Sequence, residues 1–185
     1  MTARPPWRAG PGLLLACLAL AVAGAFVAWS LTGHDPGPLN ERHPPAFLRT
    51  LVSAEEDFRD NDRDGNGVRD YWTADVAGLH ALLAPAGPGR VEMMKLIDAS
   101  MARADGGRPG AVPIAGYLYR AMESDGSGRH PARFGFCAYP AEYGRTGRAT
   151  FIVSESGTVY RSDTRGNPVL RWPADPAREG WAKAD

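Results

Sequence analysis

The densest run of potential chemistry is Asp60–Asp70, DNDRDGNGVRD. Asp62, Asp64 and Asn66 place side-chain oxygens at positions one, three and five of a loop, and Gly67 stands at six. The carbonyl of Val68 falls at seven and the carboxylate of Asp70 at nine. This is calcium-loop spacing: a hard cation gathers several oxygens at about 2.3–2.6 Å, and alternate residues of a tight loop turn theirs inward. Position twelve, where an EF-hand has its bidentate glutamate, is Thr73, so Asp60 or Asp75 would have to complete the shell. The competing expectation is an Asp-Gly/Asn-Gly turn that ends a helix. The metal reading is therefore a structural calcium ion on Asp62, Asp64, Asn66, Val68 and Asp70, with no other cofactor implied.

The remaining reactive residue types do not assemble into a standard catalytic set. Cys137 with His80 or His130 as base is the nearest to a nucleophilic pair, yet Cys137 alternates with phenylalanines in an apolar run. A free cysteine in that setting is an inert small hydrophobe. The histidines His34, His43, His80 and His130 lack paired metal-ligand spacing. Glu55-Glu56-Asp57 reads as a solvated helix face. Tyr143-Gly144-Arg145-Thr146-Gly147 suits a hairpin loop, without the helix and lysine of a phosphate cradle. Tyr139, Tyr143, Tyr160, Trp172 and Trp181 could line an aromatic surface, but sheet packing accounts for most of them.

What positions these groups begins with Leu13–Leu31, nineteen uncharged residues. As a helix that run spans about 28 Å, close to a bilayer's hydrocarbon thickness. Arg4 and Arg8 precede it, which keeps the N-terminus cytoplasmic and sends the remainder across. A signal anchor is expected; a cleavable signal with Ala23-Gly24-Ala25 as its cleavage site is the alternative. Residues 1–12 are then cytoplasmic, 13–31 transmembrane, 32–45 a Pro/Gly-rich tether, and 46–185 one extracytoplasmic domain. The chain's 21 Lys+Arg balance its 21 Asp+Glu, so no global field favours nucleic acid. Cys17 and Cys137 are too differently placed to pair, and the domain must fold by its core.

In Pro45–Arg59, Phe47, Leu48, Leu51, Val52 and Phe58 recur at helical spacing, with Pro44-Pro45 suited to the first turn. Glu55, Glu56 and Arg59 are expected to face away from that stripe. Asp75–Leu83 and Val91–Ala102 read as two short helices split by Pro85-Ala86-Gly87-Pro88-Gly89, the second facing the core with Val91, Met94, Ile97 and Met101. From Gly116 the period becomes two. Strands are expected at Tyr117–Tyr119, Phe134–Tyr139, Ala149–Val153 and Thr158–Arg161, with Pro168–Trp172 as a short edge. Helices followed by closely connected strands predict an α+β fold, an amphipathic helix on a four- to five-stranded antiparallel meander.

Three stretches carry a resemblance: LRTLVSAEEDFRDNDRDGNGVRDYWTADVAGL (Leu48–Leu79), FGFCAYPAEYGRTGRATFIVSESGTVYRSD (Phe134–Asp163) and RWPADPAREGW (Arg171–Trp181). On these the chain resembles an uncharacterised family of bacterial exported proteins, a domain of unknown function whose members look like type IV pilin or pseudopilin heads. The resemblance implies a fold and an exported location, and no catalytic residues. Pilins carry a glutamate at the start of the membrane helix and run that helix unbroken into the head. Here the apolar run has no such glutamate, and Gly33–Pro45 interrupts it. The expected function is a membrane-tethered, non-catalytic extracytoplasmic domain for cell-envelope structure, assembly or binding of an envelope partner. The alternative is an extracytoplasmic hydrolase or modifying enzyme using carboxylates of Asp60–Asp75, with a metal.

Overall fold

The computed structural model describes residues 37–122 and 128–184. The apolar run, Cys17, His34 and the expected transmembrane and cytoplasmic segments lie outside them. Among the described residues no helix is long and apolar enough to cross a membrane. All of them belong to one compact unit, Pro36–Asp185.

The chain enters through a single helical turn, α1 (Gly37–Asn40), and then forms α2 (Pro44–Asp60). Pro44 and Pro45 occupy the first turn of α2, where the missing N–H groups have no helical partner to lose. The second half of the expected tether is folded onto the domain. Asn40 Nδ2 donates to the Thr146 carbonyl (3.0 Å), and Glu41 Oε1 accepts from the amides of Arg148 (2.8 Å) and Ala149 (3.1 Å).

The sheet side follows the period-two reading closely. Strands β4 (Tyr117–Ala121), β6 (Gly135–Pro140), β7 (Thr150–Ser154), β8 (Tyr160–Ser162) and β9 (Ala182–Lys183) form one five-stranded antiparallel sheet in that order. Strand β5 (Arg129–His130) leaves this sheet to pair with β1 (Tyr71–Trp72). The fifth strand is Ala182–Lys183 and not Pro168–Trp172, which forms no strand. Its Val169 amide donates instead to Cys137 Sγ (3.3 Å), so the segment lies across the sheet face and does not extend its edge.

The two short helices expected after Asp75 are not both formed. Ala77–His80 is one 3-10 turn, and Leu82–Gly87 (β2) pairs with Arg90–Met94 (β3) as a hairpin. Only the end of the second stretch is helical, α3 (Ala99–Arg103), capped by Asp98 through the amides of Ser100 and Met101. The Pro/Gly cluster does not separate two helices: Pro85, Ala86 and Gly87 end β2, and Pro88-Gly89 make the hairpin turn. Short apolar runs satisfy both periods, and here Leu82 and Ala84 point inward while Leu83, Val91 and Met93 are exposed. Of the expected stripe, Ile97 and Met101 reach the core.

Each face of the sheet has its own apolar layer. On one face Leu48, Leu51 and Val52 of α2 meet Tyr117, Tyr119, Phe136, Phe151 and Val153. On the other, Cys137, Ile152 and Met122 lie under Tyr139, Tyr160, Val169, Trp172 and Trp181. Four of the five aromatics considered for a binding surface thus form a second small core. The fifth, Tyr143, is exposed and donates its hydroxyl to Asp163 (2.9 Å).

Candidate functional site

The acidic loop begins where α2 stops. Asn61 caps the helix and ties Asp57 with its Nδ2 (2.8 Å), and Arg63 returns to the same carboxylate through Nε (3.0 Å) and Nη2 (2.8 Å). The turn then needs left-handed backbone, with Asp62 at φ 46°, Gly65 at 66° and Gly67 at 80°. Gly65 has a second reason to be glycine. A Cβ there would lie 2.2 Å from Pro85 Cγ, so the loop packs directly on the hairpin.

Inside the turn, alternate side chains fold back on the backbone. Asp62 Oδ2 accepts from the Gly67 amide (3.0 Å), Asp64 Oδ1 from Asn66 (3.3 Å) and Asn66 Oδ1 from Val68 (2.6 Å). This fixes one oxygen of Asp62 and of Asp64 and the single side-chain oxygen of Asn66, whose Nδ2 donates to the second Asp64 oxygen (3.0 Å). Asp62 Oδ1 and Asp70 Oδ1 are buried without a hydrogen-bond donor. Burial holds the Asp70 carboxyl above the usual carboxylate range, and the negative charges of Asp64 and Asp62 push the same way. A cation is the group that would reverse all of these effects.

Other parts of the expected shell are committed elsewhere. Asp64 Oδ2 pairs with Arg129 Nε at 3.1 Å, and the Arg129 guanidinium stacks 4.0 Å from the Trp72 ring centroid. Asp75 Oδ1 accepts from the Gly78 amide (2.6 Å), and Asp60 lies on the surface 3.6 Å from Arg59. Thr73 at position twelve is buried. Among the described residues no three His, Cys, Asp or Glu side chains stand assembled as a metal cluster.

Glu55 does not lie on the solvated helix face expected of it. It is fully buried, not solvated, and its Oε2 accepts the Trp72 amide at 2.8 Å. Its Oε1 has no partner, and desolvation raises its carboxyl well above the ordinary value. The signal was present in the spacing. Position 55 follows Leu51 by four and Val52 by three and precedes Phe58 by three, so it lies on the apolar stripe.

The thiol and the histidines are not brought together. Cys137 is fully buried on the far sheet face, and burial pushes its thiol up to about 12. His80 Nδ1 contacts the Ile97 carbonyl (2.8 Å), while His130 Nδ1 accepts from the amides of Ala132 (3.1 Å) and Arg133 (2.9 Å). A cavity of about 620 Å³ opens elsewhere, between α2 and the β8–β9 margin, and no carboxylate of the Asp60–Asp75 loop lines it.

Fold and loop together define an α+β domain of one long helix on a five-stranded antiparallel sheet, with an acidic, glycine-containing turn at the helix end. The chain belongs to the family described as "Protein of unknown function (DUF2950)", whose profile matches residues 39–168. No curated protein and no solved structure matches it.

Proposed function

We propose that this is a membrane-tethered extracytoplasmic domain with a non-catalytic role in cell-envelope structure, assembly or binding, resembling a pilin or pseudopilin head. In this reading Leu13–Leu31 is the anchor, and the Asp62–Asp70 loop takes one calcium ion as part of the fold. The observation that supports a non-catalytic role best is how the buried carboxylates are used. Glu55 receives the Trp72 amide, and Asp105 receives the amides of Val76 and Ala77 at 3.0 Å each. Such groups hold segments together, and neither lines the cavity between α2 and the β8–β9 margin.

Calcium is favoured by the buried, donor-less Asp62 Oδ1 and Asp70 Oδ1 inside a turn already held by Gly67 and Val68 amides. On binding, Asp64 exchanges Arg129 for the ion, and Asn66 Oδ1 and the Val68 carbonyl add neutral oxygens.

Protease added outside intact cells should digest the C-terminal domain; a domain shielded in the cytosol overturns the placement. Calorimetry of the full chain in detergent should show heat on adding millimolar calcium, absent in Asp62→Asn. No heat with the native protein removes the ion from the account.

A further inference from the structure

We propose that the groove between α2 and the β8–β9 margin is a binding site for a phosphate group carried on a small organic body. The groove follows from geometry. Helix α2 rests on β6 and β7. A helix is about 10–12 Å across, whereas five strands at about 4.8 Å spread nearly twice as far. The β8–β9 side therefore projects beyond the helix. Arg161 stands opposite Phe151 and Ala182 in the ladder, so it shares the face on which α2 lies.

Around the resulting cavity of about 620 Å³ stand Arg42 from the α1–α2 connection, Arg49 from α2, Arg161 from β8 and Lys183 from β9. None of the four forms an ion pair with another described residue. Among the described lining residues the one carboxylate, Glu41, is held by the amides of Arg148 and Ala149. Four cations drawn from separate segments repel one another, and in a chain of zero net charge this local excess has no general cause. An anion seated among them removes the repulsion.

The residue types point to phosphate. Three of the four are arginines, whose planar forks pair bidentately with phosphate oxygens, and the lysine adds a point charge. Pro45, Ala46, Phe151 and Ala184 provide apolar contact for the body that carries the phosphate. The same chemistry is offered by a soluble organophosphate and by the headgroup of an anionic phospholipid.

The test titrates the full chain in a zwitterionic detergent with inorganic phosphate, glycerol phosphate and short-chain phosphatidylglycerol, read by calorimetry. Saturable binding of at least one is expected. It should weaken at least about tenfold in Arg49→Gln/Arg161→Gln, each arginine contributing charge-assisted hydrogen bonds. Arg90→Gln/Arg133→Gln, which removes the same charge elsewhere, should bind as the native chain does. Saturation by glycerol phosphate assigns a soluble source; saturation by phosphatidylglycerol alone assigns a lipid. Should Arg49→Gln/Arg161→Gln fail to fold, Arg42→Gln/Lys183→Gln carries the same expectation. No saturable binding, or equal loss in the control pair, overturns the proposal.

Discussion

Around the Asp62–Asp70 loop, side-chain charge is turned inward: Asp62 onto the Gly67 amide, Asp64 onto Arg129, and Glu55 nearby onto the Trp72 amide. Around the α2/β8–β9 groove it is turned outward, with Arg42, Arg49, Arg161 and Lys183 free of ion pairs among the described residues. The loop is a few residues of contiguous sequence, whereas the groove draws its cations from both ends of the domain, Arg42 and Lys183 included. The difference separates two uses of charge. Buried charge with fixed partners contributes to folding, and exposed charge without partners is available to something outside the chain.

The largest expected contrast is at Glu55. Glu55→Ala strands the Trp72 amide and leaves a void, and should cost about 3 kcal/mol in urea denaturation. Glu55→Gln keeps an acceptor for the Trp72 amide and removes the ionisable carboxyl that burial disfavours, so it should cost less than about 1 kcal/mol. If Glu55→Ala is as mild as a surface change, the inward-facing half of the comparison fails.

The pH dependence sharpens the same point. Glu55 and Asp70 both have folded-state carboxyls raised above their unfolded values. The native state therefore binds protons more tightly at these sites. Their contribution is fully present below the ordinary carboxylate range and is lost as pH rises through the raised values. Unfolding free energy should fall over that window, less steeply in Glu55→Gln. Calcium should flatten the Asp70 part, because the ion stabilises the ionised form. A slope that Glu55→Gln leaves unchanged would show that Glu55 is not the group responsible.

The smallest effect belongs to the groove. Arg42, Arg49, Arg161 and Lys183 are exposed. Single changes to Gln there should alter stability by no more than about 0.5 kcal/mol. A loss above about 2 kcal/mol would make these cations structural and dissolve the contrast.

Much of the scaffold was readable because its signals are local. The i, i+3, i+4 stripe of Leu48, Leu51 and Val52 and the start at Pro44-Pro45 identify α2. The alternation of Phe134, Phe136 and Ala138 against Cys137 identifies β6 and the faces of the sheet. In the hairpin β2–β3 local spacing misleads: Val91, Met94 and Ile97 recur at helical spacing, whereas Val91 and Met93 share one face of β3 and both are exposed. Only pairing between Leu82–Gly87 and Arg90–Met94 decides which period is used.

By itself the sequence determined the α+β class, the helix that covers the sheet, the strand alternation and the oxygen spacing of the Asp62–Asp70 turn. Each of these depends on residues a few positions apart, where backbone geometry alone dictates which side chains share a face. Tertiary structure decided that Glu55 is buried against Trp72, that Trp172 and Trp181 close a second core, and that Arg42, Arg49, Arg161 and Lys183 meet around one cavity. Those depend on which distant segments pack together, and no local period carries that information.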